Sequence, residues 1–286
     1  MLFLRRLTAI SVAIAALFAL ACSSESAHAP AAASGAAPQV ATRMRVALAQ
    51  IGHDTLSDSA RVTAIVAQPD GGDALSFRFD DPGRQVVAGL GIVRGVNVPQ
   101  LLWPDSVTDT WWSAPYTLAF TTATGRGVEV VVDVRSATLD VVRQAPSQVA
   151  PAPPAPRADT ASLRRATAFV DSALGAPHAA GAMGGTGTGA GGALTYHVVT
   201  VHAAPAGRLR MFYVVATDSG GRRLNPAWYV LDTASRGVAR VDRIVGPADE
   251  MPESAGAWSD STRFLYARGR EIWEATVAPA PLRAHP

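Results

Sequence analysis

The stretch WWSAPYTLAFTTATGRGVEVVVDVRSATL, residues 111–139, has a counterpart in AWSDSTRFLYARGREIWEATV, residues 257–277. Both run Trp-Ser, a short polar turn, an apolar strand, a turn containing Gly and Arg, and a second strand. A third piece, PAWYVLDTASRGVARV, residues 226–241, shares its strand-Asp-x-x-Ser ending with VVVDVRSATL. The physical reading is local. A tryptophan anchors a β-hairpin, and an Asp-Ser turn closes the next one.

The same chemistry extends in both directions. RVTAIVAQ, a turn at Pro69-Asp70-Gly71-Gly72, and ALSFRFD predict a hairpin. QVVAGLGIVRGVNV, YTLAFTT, GVEVVVDV and TLDVV are β-branched runs broken by Gly, Pro and Asp, which is strand composition. Downstream, LTYHVVTVH, RLRMFYVVAT, AWYVLD, VARVDRIV, RFLYA and EIWEATV continue it. Short connections between successive strands imply antiparallel meanders rather than βαβ units. Helices are few. RMRVALAQIGHD, near residue 43, reads as a short one. Residues 159–174 read as the best one, with Leu163, Ala166, Val170 and Leu174 on one face and Gly175 and Pro177 ending it. The expected fold class is mainly β, antiparallel meanders with one or two short helices.

The Trp-Ser pattern resembles the blades of TolB-like and WD40-like β-propellers. That resemblance implies a propeller-like arrangement, and about four blades would fit the chain. It rests on residues 111–139 and 226–277, and Ser113-Ala114-Pro115 and Ser259-Asp260-Ser261 stand where such blades carry Pro-Asp-Gly. The alternative is an α+β plan similar to PepSY or cystatin-like repeats, in which a helix at 159–174 precedes a meander.

Composition divides the chain. Residues 1–21 have a positive start at Arg5 and Arg6 and an apolar run, LTAISVAIAALFAL, too short for a membrane span; they read as a signal peptide. Residues 22–41 are small and polar, a flexible tether. Residues 42–143 form a β-rich domain, 144–158 a Pro-rich linker, and 159–281 a helix plus β-meander domain. The segment LFALACSSES holds Cys22, the one cysteine of 286 residues. It resembles the lipobox of bacterial lipoproteins, which implies lipidation of Cys22 after cleavage before it. Ala19 stands where that family prefers Leu. Ser23 follows where an inner-membrane retention signal would have Asp, so the resemblance implies a lipid anchor in the outer membrane. Ala19-x-Ala21 also suits ordinary signal peptidase, leaving a soluble periplasmic or secreted protein as the alternative.

Export alters the charge reading. The chain carries a formal +2. Arg5 and Arg6 account for it, so the mature chain is neutral. No nucleic-acid partner is expected.

Reactive motifs are scarce. The G-x-G-x-x-G match at Gly187–Gly192 is preceded by the expected helix and followed by a strand, the reverse of a nucleotide site. His197 and His202 are five apart, which on a regular strand puts them on opposite faces. No cofactor, metal or catalytic set is expected. The densest cluster is Trp103, Asp105, Asp109, Trp111 and Trp112, which could form an aromatic ligand surface or pack in the core. These readings support a non-catalytic binding or scaffold domain on an exported lipoprotein, with the bilayer and an envelope protein or glycan as partners. The alternatives are an exported hydrolase of envelope polymers, needing carboxylates such as Asp105 or Asp109 beside Asp260, and an α+β envelope-assembly or inhibitory module.

Overall fold

The computed structural model describes residues 36–95, 98–104, 106–132, 139–140, 195–221, 223–243 and 255–281. The leader with Cys22, the linker at 144–158, the helix expected at 159–174, the glycine-rich loop and Asp105 lie outside them.

The chain opens with β1 (Gln39–Ala47) and a small hairpin of β2 (Gln50–Ile51) and β3 (Asp54–Thr55). Among the described residues four four-stranded antiparallel sheets follow. Sheet I is β4 (Arg61–Ala67), β5 (Ala74–Asp81), β6 (Val86–Arg94) and β7 (Gln100–Trp103). Sheet II is β8 (Val107–Ala114), β9 (Thr117–Thr122), β10 (Gly127–Val132) and β11 (Leu139–Asp140). Sheet III is β12 (Thr195–Ala203), β13 (Leu209–Thr217), β14 (Arg223–Asp232) and β15 (Gly237–Arg243). Sheet IV has β16 (Gly256–Trp258), β17 (Arg263–Arg268) and β18 (Glu271–Ala278), and β1 completes it. The first strand thus pairs with the last, Gln39 opposite Ala278 and Ala47 opposite Glu271.

The sheets pack face to face in the order II, I, IV, III. Leu90, Ile92, Val107, Leu118 and Phe120 fill the layer between I and II. Ile65, Phe77, Phe79, Leu265 and Ile272 fill that between I and IV. Met211, Tyr213, Trp228, Phe264 and Tyr266 fill that between IV and III. Strand alternation makes this possible. On β13, Met211 and Tyr213 face sheet IV, while Phe212 and Val214 belong to a separate cluster on the other face. Sheets buried on both faces, stacked layer upon layer and closed by the first strand, match the propeller-like expectation. Among the described residues the core is sheet on sheet, not helix on sheet as in the α+β alternative.

Two local expectations are corrected. RMRVALAQIGHD forms β1 and the β2–β3 hairpin, not a helix, because pairing with β18 overrides a weak local helix preference. His197 and His202 do not lie on opposite faces. The pairing of β12 shifts between Val198 and Thr200, so His197 stands opposite Val215 and His202 opposite Met211. Val215 and Met211 share a face, and the two histidines therefore do too. Four residues of β13 still separate them, about 14 Å, too far to share a metal. No group of three metal-ligating side chains occurs among the described residues.

Candidate functional site

The inner strands β4, β8, β12 and β16 start at one end of the stack, here called the upper end, and finish at the lower. At the upper end Val62 N–H meets the Gly269 carbonyl at 2.9 Å, and Ser106 N–H meets that of Val87 at 2.8 Å. At the lower end Gly71 N–H donates to Ser259 O at 3.1 Å, and the Gln68 side-chain amide to Pro115 O at 2.5 Å.

The Trp-Ser pairs of the repeat occupy equivalent lower-end positions. Trp112 stands opposite Leu118 and Trp258 opposite Phe264. Each indole reaches into the preceding sheet. Trp112 Nε1 donates to Val66 O at 3.3 Å, and Trp258 Nε1 donates to His202 O at 2.9 Å. Each following serine closes its own turn: Ser113 Oγ donates to Thr117 O at 3.3 Å and Ser259 Oγ to Arg263 O at 3.2 Å. In sheets I and III the matching positions are Ala67 and Ala203, opposite Leu75 and Arg210. Tryptophan and alanine therefore alternate from sheet to sheet.

The Asp-x-x-Ser of residues 232–235 is a clasp on both ends of the described chain. Asp232, fully buried, accepts Arg208 Nε at 2.9 Å and Nη2 at 2.8 Å, together with the backbone N–H groups of Ala234 at 3.1 Å and Ala280 at 3.0 Å. Arg208 also donates to Ala280 O at 2.6 Å. Ser235 Oγ donates to Ala36 O at 3.0 Å, and Gly237 lets Ala36 and Ala37 pass where a Cβ would collide with them. The Arg208 guanidinium, helped by the two N–H donors, holds the Asp232 carboxyl down at about 2, against the effect of burial. The clasp secures the lower end.

The aromatic cluster expected as a ligand surface is divided by the fold. Trp103, on β7, lies 5.6 Å from Phe120 and packs with Trp112 against the layer between sheets I and II. Trp111 is its neighbour in sequence, so it faces the other way; it is buried opposite Ala119. Asp109 is exposed at the upper end and accepts Thr121 Oγ1 at 3.3 Å.

Around Asp109 is a polar rim of sheets I and II. Thr108 and Thr121 hydroxyls meet at 2.8 Å. Arg61 pairs with Asp80 at 3.4 Å, and Arg78 donates to Thr108 O at 2.5 Å. Asp80 also accepts Ala88 N–H at 2.9 Å, holding Ala88 at φ +52°, and Ser106 beside it sits at φ +59°. Left-handed backbone is costly for residues with a Cβ and is often found where a site needs a fixed shape. No sequence motif marks Arg78 as reaching the strand of Asp109, because sheet packing brings β5 and β8 together.

Asp260 is elsewhere. It lies in the lower turn after β16, where it accepts Thr262 N–H at 2.7 Å, Arg263 N–H at 2.8 Å and Arg263 Nε at 2.5 Å. From Asp109 to the lower-end residue Pro115 is six residues, about 20 Å of strand. Asp109 and Asp260 therefore do not form an acid–base pair. Burial raises the Asp260 and Asp81 carboxyls, but their hydrogen bonds outweigh it and both end below the usual carboxylate range. Asp81 is held by the backbone N–H and hydroxyl of Ser57.

Comparison of the chain with protein-family models and with curated proteins gives no match. Among solved structures it is similar to a periplasmic gluconolactonase of Pseudomonas aeruginosa, PpgL, at 16% identity and a TM-score of 0.22, over 73% of this chain and 47% of that one. It is similar also to a mutant of AofleA from Arthrobotrys oligospora, at 10% identity and a TM-score of 0.22, over 88% of this chain and 65% of that one. The chain thus spans less than two thirds of either neighbour. At that TM-score neither likeness bears on its activity. No helix among the described residues is long and apolar enough to cross a membrane.

Proposed function

We propose that the chain is an exported lipoprotein, anchored in the bilayer through acylated Cys22, whose β-rich domain binds an envelope protein or glycan without catalysis. The upper rim of Arg61, Arg78, Asp80, Thr108, Asp109 and Thr121 is its binding face. The observation that supports this reading is the polar rim at one end of the stack, while the chain is clasped at the other. Ala36 and Ala280 are both held at the lower end, by Ser235 and by the Asp232–Arg208 clasp. The rim stands at the opposite end of the sheet stack from this clasp.

The rim's chemistry favours a polyhydroxyl ligand such as a glycan. It offers two threonine hydroxyls, carboxylates and guanidinium groups on adjacent strands, donors and acceptors that can exchange water for sugar hydroxyls. Palmitate labelling tests the anchor: label is expected on the wild type and absent from Cys22→Ala, with the variant released from the membrane fraction. Equal release of both forms would sink that part. Retention on insoluble envelope glycan tests the rim. Wild type is expected to be retained and Asp109→Ala with Arg61→Ala to be lost, with no soluble fragments formed. Fragment release would favour the hydrolase reading instead.

A further inference from the structure

His202 lies near the lower end of β12, where sheet III meets sheet IV. Its ring is 5.8 Å from that of Trp228 on β14 and 5.5 Å from that of Phe264 on β17. Trp228 is 5.2 Å from Tyr213 and 5.0 Å from Phe264, and Trp258 is 5.2 Å from Phe264. The imidazole Nε2 and the Trp228 indole N–H are both enclosed without a hydrogen-bond partner. The strip has little slack. A Cβ on Gly256 would lie 2.5 Å from the Phe264 ring and 3.0 Å from that of Trp228. The backbone of His202 is at the same time one of the points at which sheet IV grips sheet III, because its carbonyl accepts the Trp258 indole N–H.

We propose that this strip is an acid-sensitive latch, in which a proton taken from solvent by His202 expels the imidazole from its packing against Trp228 and Phe264 and breaks the Trp258 bond between sheets III and IV.

The charged and titratable groups around the strip do not offer the imidazolium a partner where it stands. On β13 the facing group is Tyr213. On β15 it is Asp242, which accepts the Tyr266 hydroxyl at 2.9 Å and lies 3.8 Å from Arg268, both on β17. After β16 comes Asp260, held by Arg263. On β18, Glu271 accepts the Trp273 indole N–H at 2.8 Å. Burial alone depresses the imidazole, to about 4. A buried charge without a partner is unfavourable, so the ring must leave or the packing must open.

The direction follows from linkage. The folded value lies below the ordinary 6.5. The unfolded chain therefore binds the proton first as pH falls. Stability from the neutral ring is complete above about pH 6.5, declines between 6.5 and 4, and declines no further below that. Each unit is tenfold, so the folding equilibrium falls roughly 300-fold across the window. Carboxylates such as Asp232 act lower, from about pH 4 downwards, so the two effects separate.

The test is an acid titration of the mature chain from about pH 7.5 to about pH 3.5, with denaturant unfolding at each pH and hydrogen exchange of the Trp258 indole. Wild type is expected to lose stability between pH 6.5 and 4, with faster indole exchange. His202→Gln is expected to lose most of that dependence, and His197→Gln, at an exposed site, to keep it. An identical pH profile in His202→Gln would overturn the latch. If that variant does not fold, the wild-type histidine resonances decide. One imidazole is expected to titrate near 4 in the folded protein; if all titrate near 6.5, or the Trp258 indole stays protected at pH 4, the proposal is wrong.

Discussion

Trp112 and Trp258 make the same bond in alternate sheets, and each is worth a measurement of its own. Trp258→Phe keeps most of the apolar area and removes the N–H that reaches His202 O. Denaturant unfolding is expected to show a loss of about 1 kcal/mol, the net worth of one hydrogen bond. Trp258→Ala also removes the packing on Phe264 and is expected to lose about 3–5 kcal/mol. Equal losses in the two variants would mean that the indole N–H, not the ring, carries the position. The Trp-Ser pairs were legible in the sequence because the serine closes its own turn, whereas the reach of each indole into the preceding sheet was not. Nor was the division of the aromatic cluster. Trp111 and Trp112 read as a pair, yet strand alternation sends them to opposite faces, and the strand itself is disguised by Asp109 and two threonines.

At the scale of the element, the Asp232 turn is the clearest case of a local motif with a long-range task. Asp232→Asn exchanges a charge-assisted pair with Arg208 for a neutral contact and weakens the hold on Ala280. A loss of roughly 2–3 kcal/mol is expected at neutral pH. Because the Asp232 carboxyl is depressed in the folded chain, its contribution is present above about pH 4 and is lost as pH falls towards 2. Wild type and Asp232→Asn should therefore converge in acid; a gap that stays constant would contradict the account. The motif showed the turn, but not that it meets residues 36 and 280. Strand β1 was hidden for a related reason, since only its pairing with β18 makes RMRVA a strand. The bulge in β12 defeats period-two reasoning for His197 and His202, because one extra residue reverses the parity of everything beyond it.

For the whole molecule, the meander character followed from turn chemistry, which is local, whereas the figure of about four blades was implied by the propeller resemblance. The stacking order II, I, IV, III and the partnership of first and last strands depend on contacts across most of the chain, and no short pattern announces them. Closure by β1 has a consequence. A chain starting after Ala47 would leave β18 as an open edge with its Glu274 buried and deprived of Arg43 and Arg45, and is expected to aggregate rather than unfold reversibly. Light scattering against the chain from residue 36 checks this; a soluble, cooperative shorter domain would deny β1 that role. The clasp and the rim around Asp109 lie at opposite ends of the sheet stack, and the binding account rests on the rim's polar chemistry. Its most direct test is retention of the mature chain on insoluble envelope glycan, wild type against the Arg61→Ala, Asp109→Ala double variant of matched stability. The account predicts retention of the wild type, loss in the variant and no soluble fragments; equal retention of the two, or fragments released by the wild type, would contradict it.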